Sequence, residues 1–200
     1  MFVRMNTITG AKNIDAGVDY IRDNVISEVQ GQKGFRGMTV SGNRSTGDFG
    51  ILSLWDTLAD LEASESTVSK ARQEAVKLIG GEITVTVMEQ MVAEIVAPQD
   101  LVGHPLRIVQ VKMEPAKVDE HVAFFQSEVV PDLKATQGFV AVRNMINRST
   151  GEGAVGTVWA DEQSMQAAEP KAEERRQRVS ARGIEISDPR YRTILFNQLS

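Results

Sequence analysis

Asn43-Arg44-Ser45-Thr46-Gly47 returns as Asn147-Arg148-Ser149-Thr150-Gly151, and the offset of 104 between the two holds far beyond these five residues. At the same offset Asp15 meets Asp119, Val18 meets Val122, Gly34-Phe35 meets Gly138-Phe139, Trp55 meets Trp159, Glu65 meets Glu169 and Arg72-Gln73 meets Arg176-Gln177. Matches spread over so much of the chain mark a duplicated folding unit rather than a shared short motif.

Outward from the pentapeptide, Phe35 to Val40 precede its first copy and Phe49 to Trp55 follow it; Phe139 to Met145 and Ala154 to Trp159 flank the second. Two apolar runs joined by a short polar segment with Gly last predict a β-hairpin in each half. Ahead of the hairpins, Val3, Met5 and Thr7 alternate with Arg4, Asn6 and Ile8, and Arg107, Val109 and Val111 alternate with Ile108, Gln110 and Lys112, the period of a strand. Between strand and hairpin, Val18, Ile21, Val25 and Val29 follow Asp15 at helical spacing, as Val122, Phe125, Val129 and Leu133 follow Asp119. An Asp near a helix start is favoured by capping and by the helix dipole. Pro131 is expected to kink or end the second of these helices, because it has no backbone N–H to donate.

Beyond the hairpins, Leu58 to Leu78 and Glu162 to Arg182 predict helices, with breaks near Ser64 to Ser66 and at Pro170. Ile83 to Val87 and Tyr191 to Phe196 close the halves as strands. The order is β-α-β-β-α-β twice over, the ferredoxin-like unit. Helices then cover one sheet face only, so the second copy is the nearest cover for the other. The expected fold class is α+β: two tandem ferredoxin-like repeats forming one pseudo-symmetric barrel. Pro98 and the Gly103-His104-Pro105 run put the boundary at a linker, 98–104, between repeats at 1–97 and 105–200.

Composition narrows the function. The chain has 200 residues, 42% hydrophobic and 24% charged, a globular balance. Its net charge of −5 argues against a broad grip on nucleic-acid phosphates. The absence of cysteine removes disulfides, thiolate nucleophiles and Cys-based metal sites and fits a reducing cytoplasm. No sustained apolar run opens the chain, and no stretch approaches the ~20 apolar residues of a membrane helix. A cytoplasmic protein without nucleic-acid or membrane partners is expected.

The candidate chemistry is sparse. His104 and His121 are the two histidines, too few for an ordinary metal site, and neither metal nor cofactor is expected. His121, at a helix start, is the candidate general base, with a half-exposed surface histidine as the plainer alternative; its counterpart is Gly17. Asn6 and Gln110 are strand amides at matching positions among apolar neighbours, and Arg143 lies mid-strand beside Val142, so each needs a polar partner or a ligand. Tyr20, Phe124, Phe125, Trp55 and Trp159 supply either an aromatic wall for a flat ligand or core packing. Gly151 to Gly156 spells GxGxxG but enters a strand rather than a helix, which excludes a dinucleotide loop. Arg44 and Arg148 could pair with an anion, yet Asn-Arg-Ser-Thr-Gly is also what a tight hairpin turn requires.

Gly34-Phe35-Arg36-Gly37 before the first hairpin and Ile51-Leu52-Ser53-Leu54-Trp55-Asp56 at its far edge are echoed by Gln137-Gly138-Phe139 and Gly156-Thr157-Val158-Trp159. With the polar helix that follows, they make the chain resemble the antibiotic-biosynthesis monooxygenase-like family of the dimeric α/β-barrel superfamily. The resemblance covers nearly the whole chain in two copies. It implies an intramolecular pseudo-dimer, with further pairing of whole chains left open, and ligand pockets between helices and sheet. Members of the family include cofactor-free quinone-forming oxygenases and haem-degrading enzymes. The haem-degrading branch carries an Asn on the first strand, a Trp in the helix after the hairpin and a His ligand further along it. Asn6 matches the first, but Ser64 and Ala168 stand near the Trp position and no His occurs in either helix, so haem degradation is not expected. Trp55 and Trp159 resemble the family's structural tryptophans. The implied function is a cofactor-independent monooxygenase-like enzyme acting on a small aromatic or polyketide-like molecule; the alternative is a noncatalytic small-molecule-binding or structural barrel protein.

Overall fold

A computed structural model describes residues 1–96 and 100–199. The first repeat forms β1 (Phe2–Thr9), α1 (Ile14–Tyr20), a π-helical turn (Ile21–Val25), α2 (Ile26–Val29), β2 (Phe35–Asn43), β3 (Asp48–Trp55), α3 (Leu58–Ala63), α4 (Glu65–Ile79) and β4 (Glu82–Ile95). The second forms β5 (Pro105–Lys112), α5 (Val118–Phe124), another π-helical turn (Phe125–Val129), α6 (Val130–Lys134), β6 (Phe139–Ile146), β7 (Glu152–Trp159), α7 (Glu162–Ala167), α8 (Glu169–Ser180), a short β8 (Glu185–Ile186) and β9 (Arg190–Leu199). The class is α+β, two ferredoxin-like repeats in tandem.

The chain divides into two compact units. The first holds Met1–Val87, Asp100–Gly103 and residues 192–199; the second holds residues 88–96 and His104–Tyr191. Ala97 to Gln99, the end of the expected first repeat and the start of the expected linker, lie outside the described residues. In the first unit the strand order is β4-β1-β3-β2-β9 and the registered pairings are antiparallel. In the second the order is β4-β6-β7-β5-β8, again antiparallel. β4 is much longer than the expected Ile83 to Val87, because Glu89 to Ile95 go on to pair with β6.

The repeated pentapeptide is turn chemistry in both units. Asn43 Oδ1 accepts from the Ser45 N–H at 3.0 Å and the Ser45 hydroxyl at 2.7 Å, and Asn147 Oδ1 does the same with Ser149 at 3.0 and 2.7 Å. Gly47 and Gly151 take φ of 70° and 71°, a region that penalises a Cβ. Asp15 and Asp119 do not cap their helices. They reach the hairpin arginines instead, Asp15 to Arg44 at 2.5 Å and Asp119 to Arg148 at 2.7 Å, and the Arg44 bond holds the Asp15 carboxyl below its usual range. True caps come later: Thr57 Oγ1 accepts from the Asp60 N–H and Asp161 from the Ser164 N–H.

Two helix expectations are corrected. Pro131 does not end its helix, which runs on to Lys134, and the π-helical turn before it recurs at Ile21–Val25, where no proline is near. The break after α7 falls at Ala168; Pro170 sits in the first turn of α8, where its missing N–H costs nothing. Ile8, Val40, Phe49, Trp55, Leu61 and Ile79 centre the first core, and Phe125, Leu133, Phe139, Trp159 and Met165 the second. No helix among the described residues is long and apolar enough to cross a membrane.

Candidate functional site

The connection from β1 to α1 is one residue shorter than that from β5 to α5, Gly10 to Asn13 against Met113 to Lys117. The first strands therefore align at 103 rather than 104. Asn6 pairs with Ile51, whereas the counterpart of Ile51, Val155, pairs with Val109. Because side chains alternate across a strand, this slip puts Asn6 and Gln110 on opposite faces. Asn6 is buried with its Oδ1 unpartnered, whereas Gln110 is exposed. The same slip aligns Arg4 with Arg107. Both are buried against the indoles, 5.9 Å above Trp55 and 5.4 Å above Trp159, and both reach the matching acid, Glu65 at 3.0 Å and Glu169 at 2.8 Å.

In the second unit a cavity of about 80 Å³ opens between helices and sheet. Val109 and Val111 of β5, Phe125, Leu133, and Ala172 and Val179 of α8 make its wall largely apolar. Set into that wall are His121, Thr157 and three arginines, Arg107, Arg175 and Arg176.

His121 is 2% exposed, which replaces the half-exposed alternative, and its Nε2 lies 3.2 Å from Asn144 Nδ2. With the amide donating, Nε2 accepts and the ring proton belongs on Nδ1, which has no partner; Asn144, itself 0% exposed, has an unpartnered Oδ1. Burial, and secondarily the charge of Arg182, push the imidazolium pKa down to about 4, so the ring is neutral near pH 7. Arg175 is 6% exposed, bonds Asp132 through Nη1 at 3.2 Å and leaves Nη2 without a partner.

The first unit is built differently at the same places. At the offset of 104, His121 stands for Gly17, Asn144 for Val40, Gly153 for Phe49, Arg175 for Ala71 and Gly183 for Ile79. A Cβ on Gly17 would lie 2.5 Å from the Ile79 side chain and 3.6 Å from the Phe49 ring, both fully buried. The space beside Gly17 is thus packed with hydrocarbon, where the second unit has glycines and a polar pair.

Of the sequence candidates that call for a ligand, only His121 and Phe125 line the cavity. Trp55 and Trp159 are fully buried; their indole N–H groups donate to Ser53 at 3.0 Å and Thr157 at 3.1 Å, and Phe35 and Phe139 meet them edge on. Tyr20 packs half-buried on the first core, and Phe124 lies under the Arg182 guanidinium at 4.5 Å. Arg143 points to the sheet face opposite Asn144, where burial lowers its pKa to about 10, so it stays charged at neutral pH. His104 Nδ1 lies 2.8 Å from the Trp159 carbonyl. Gly151 to Gly156 leads into β7, as a false dinucleotide motif should. Among the described residues no three His, Asp or Glu gather as metal ligands.

Asn144, Arg107, Arg175 and Arg176 were not singled out from sequence. Arg107 carried a signal, an arginine in phase with Val109 and Val111. Arg175-Arg176 carried none, lying in a helix crowded with charge.

A tandem ferredoxin-like α+β chain with a small, mostly apolar cavity in its second unit defines the class of protein. Several solved structures share this fold. A candidate monooxygenase from Lactobacillus acidophilus superposes with a TM-score of 0.70 at 12% identity over 99% of this chain and 95% of that one. An anthrone oxidase-like protein gives 0.70 at 14% identity over 99% and 92%. An uncharacterized ferredoxin-fold protein related to antibiotic biosynthesis monooxygenases, from Listeria monocytogenes, gives 0.54 at 11% identity over 98% and 96%. The chain has the fold of these monooxygenase-like proteins. No family model matches it. In sequence it is similar to two uncharacterized Mycobacterium tuberculosis proteins: Rv2557, 27% identical over 76% of this chain and 67% of that protein, and Rv2558, 25% identical over 94% and 80%.

Proposed function

We propose that the second unit is the active site of a cofactor-independent monooxygenase-like enzyme acting on a compact aromatic or enolisable molecule. The carrying observation is His121, whose buried Nδ1 has no partner and whose ring lines a largely apolar cavity, together with its hydrogen-bonded neighbour Asn144, whose Oδ1 is likewise buried and unpartnered. Unmatched polar atoms cost stability and are characteristic of sites that await a ligand or water. The fold likeness to proteins named as monooxygenases points the same way.

The chemistry suited to such a site is R₂CH₂ + O₂ → R₂C=O + H₂O. The substrate gives up a proton to solvent water, the resulting carbanion or enolate passes its electrons to oxygen, and the peroxide anion takes a proton back from water to give the hydroperoxide, which loses water. His121 serves here as a neutral donor: its Nδ1–H stabilises the enolate oxygen and lowers the substrate's pKa, while Nε2 is held by Asn144. The role replaces that of general base. The cavity volume of about 80 Å³ is roughly half the ~150 Å³ of an engineered cavity that takes benzene, so a fused-ring polyketide would extend beyond it.

The second reading, ligand binding without turnover, is favoured by the same bond, since an imidazole whose Nε2 is occupied and whose acid is held near 4 leaves no strong base in the wall. Oxygen consumption over a panel of anthrones, quinols and enolisable ketones, without flavin and with a chelator present, separates the two. Turnover that falls by about 10²-fold or more in His121→Phe is expected, the scale of losing one oxyanion donor. A silent panel with saturable binding would establish the second reading instead.

A further inference from the structure

We infer, building on the reading of this cavity as the ligand site, that its occupant is an anion: a compact apolar carboxylate whose charged end is met by Arg175. Three guanidinium side chains line the cavity and no carboxylate does. Two of them are matched. Arg107 meets Glu169 at 2.8 Å, and Arg176 meets Glu169 at 2.7 Å and Glu173 at 2.6 Å. Arg175 is the exception. It has one 3.2 Å contact to Asp132, and Asp132 is shared with Arg178 at 3.0 Å. Its Nη2 makes no bond although the side chain is almost wholly buried.

A buried guanidinium with an unmade hydrogen bond carries a desolvation cost that a carboxylate is shaped to relieve, through two parallel N–H···O bonds. The neighbouring charges of Arg107 and Arg178 add to the local excess of positive charge. Divergence between the repeats supports the assignment. Arg107 and Arg176 have counterparts in Arg4 and Arg72 of the first unit, where Arg72 likewise meets Glu65 at 2.9 Å, so this pair belongs to the shared framework. Arg175 has none: its place is taken by Ala71, part of the same apolar core as Ile79 and Phe49. The arginine occurs only where the cavity does, together with His121 and Asn144. Val129, Leu133 and Val179 around it set the ligand's body as hydrocarbon.

The test is calorimetric or ligand-observed NMR titration of the full chain at neutral pH with isobutyrate and benzoate against their uncharged amides. The acids should bind saturably and at least about tenfold more tightly than the amides, the discrimination that a charge-assisted pair supplies. Arg175→Gln should erase that preference, and Arg175→Lys, which keeps the charge but not the fork, should retain part of it. Acid and amide binding alike, or an acid preference undiminished in Arg175→Gln, would overturn the assignment, as would failure of every carboxylate to bind. The comparison of acid with amide on the wild-type chain decides the matter even if the variants fold poorly. Carboxylate binding without oxygen uptake would sink the oxygenase reading alone; turnover of neutral substrates with no acid preference would sink the carboxylate class alone.

Discussion

His121 is where packing and chemistry conflict most openly. Folded, its imidazolium pKa is near 4; unfolded, it returns to 6.5. Between those values the unfolded chain binds a proton that the native chain does not, so this contribution to stability is intact above pH 6.5 and is lost as pH falls toward 4, about 3 kcal/mol in all. Urea midpoints from about pH 7.5 to about pH 4.5 should fall more steeply for the wild-type chain than for His121→Leu. Parallel curves would mean that the ring is not held neutral. Asn144, 23 residues further along the chain, supplies the single hydrogen bond the imidazole makes, so the buried histidine is tolerable only because β6 delivers an amide to it.

At the scale of elements, the duplicated hairpin and the duplicated π-helical turn separate what sequence imposes from what the fold imposes. Gly151 is imposed by sequence. Its φ of 71° already excludes most side chains, and a Cβ there would clash with the Met113 carbonyl oxygen, so Gly151→Ala should cost at least about 2 kcal/mol by chemical unfolding. A variant as stable as the parent would mean that the turn had rearranged. Pro131 is different. Because Ile21–Val25 adopts the same π-helical turn without it, Pro131→Ala should leave the far-ultraviolet circular dichroism unchanged and shift stability by less than about 1 kcal/mol. A large loss of helix would show that the proline, rather than the repeat, makes the turn. β9 reinforces the first unit at its β2 edge, where Arg192 grips Asp48 through two bonds of 2.8 Å.

Over the whole molecule, duplication followed by divergence leaves the two units unequal, one packed with Ile79 and Phe49 and one with a cavity lined by His121 and Arg175, His121 being held by Asn144. Any compound that saturates the cavity should titrate to one equivalent per chain by calorimetry, and a stoichiometry of two would show that the first unit binds as well. What the sequence determined by itself was the repeat, the order of strands and helices, the α+β class and the hairpin turns. Each of these is local: periodicity over a dozen residues, or the φ that one glycine permits, is written in consecutive letters. Only the tertiary structure decided the site. One extra residue between β5 and α5 puts Gln110 on the face opposite Asn6, where it is exposed, and makes Val109 the counterpart of Asn6, because neighbouring side chains on a strand point opposite ways. Whether His121 found Asn144, and whether Arg175 was left with an unmatched nitrogen while Arg107 and Arg176 were not, depended on residues brought together from different elements; hydrogen-bond satisfaction is a property of such pairs, and no single stretch of chain contains it.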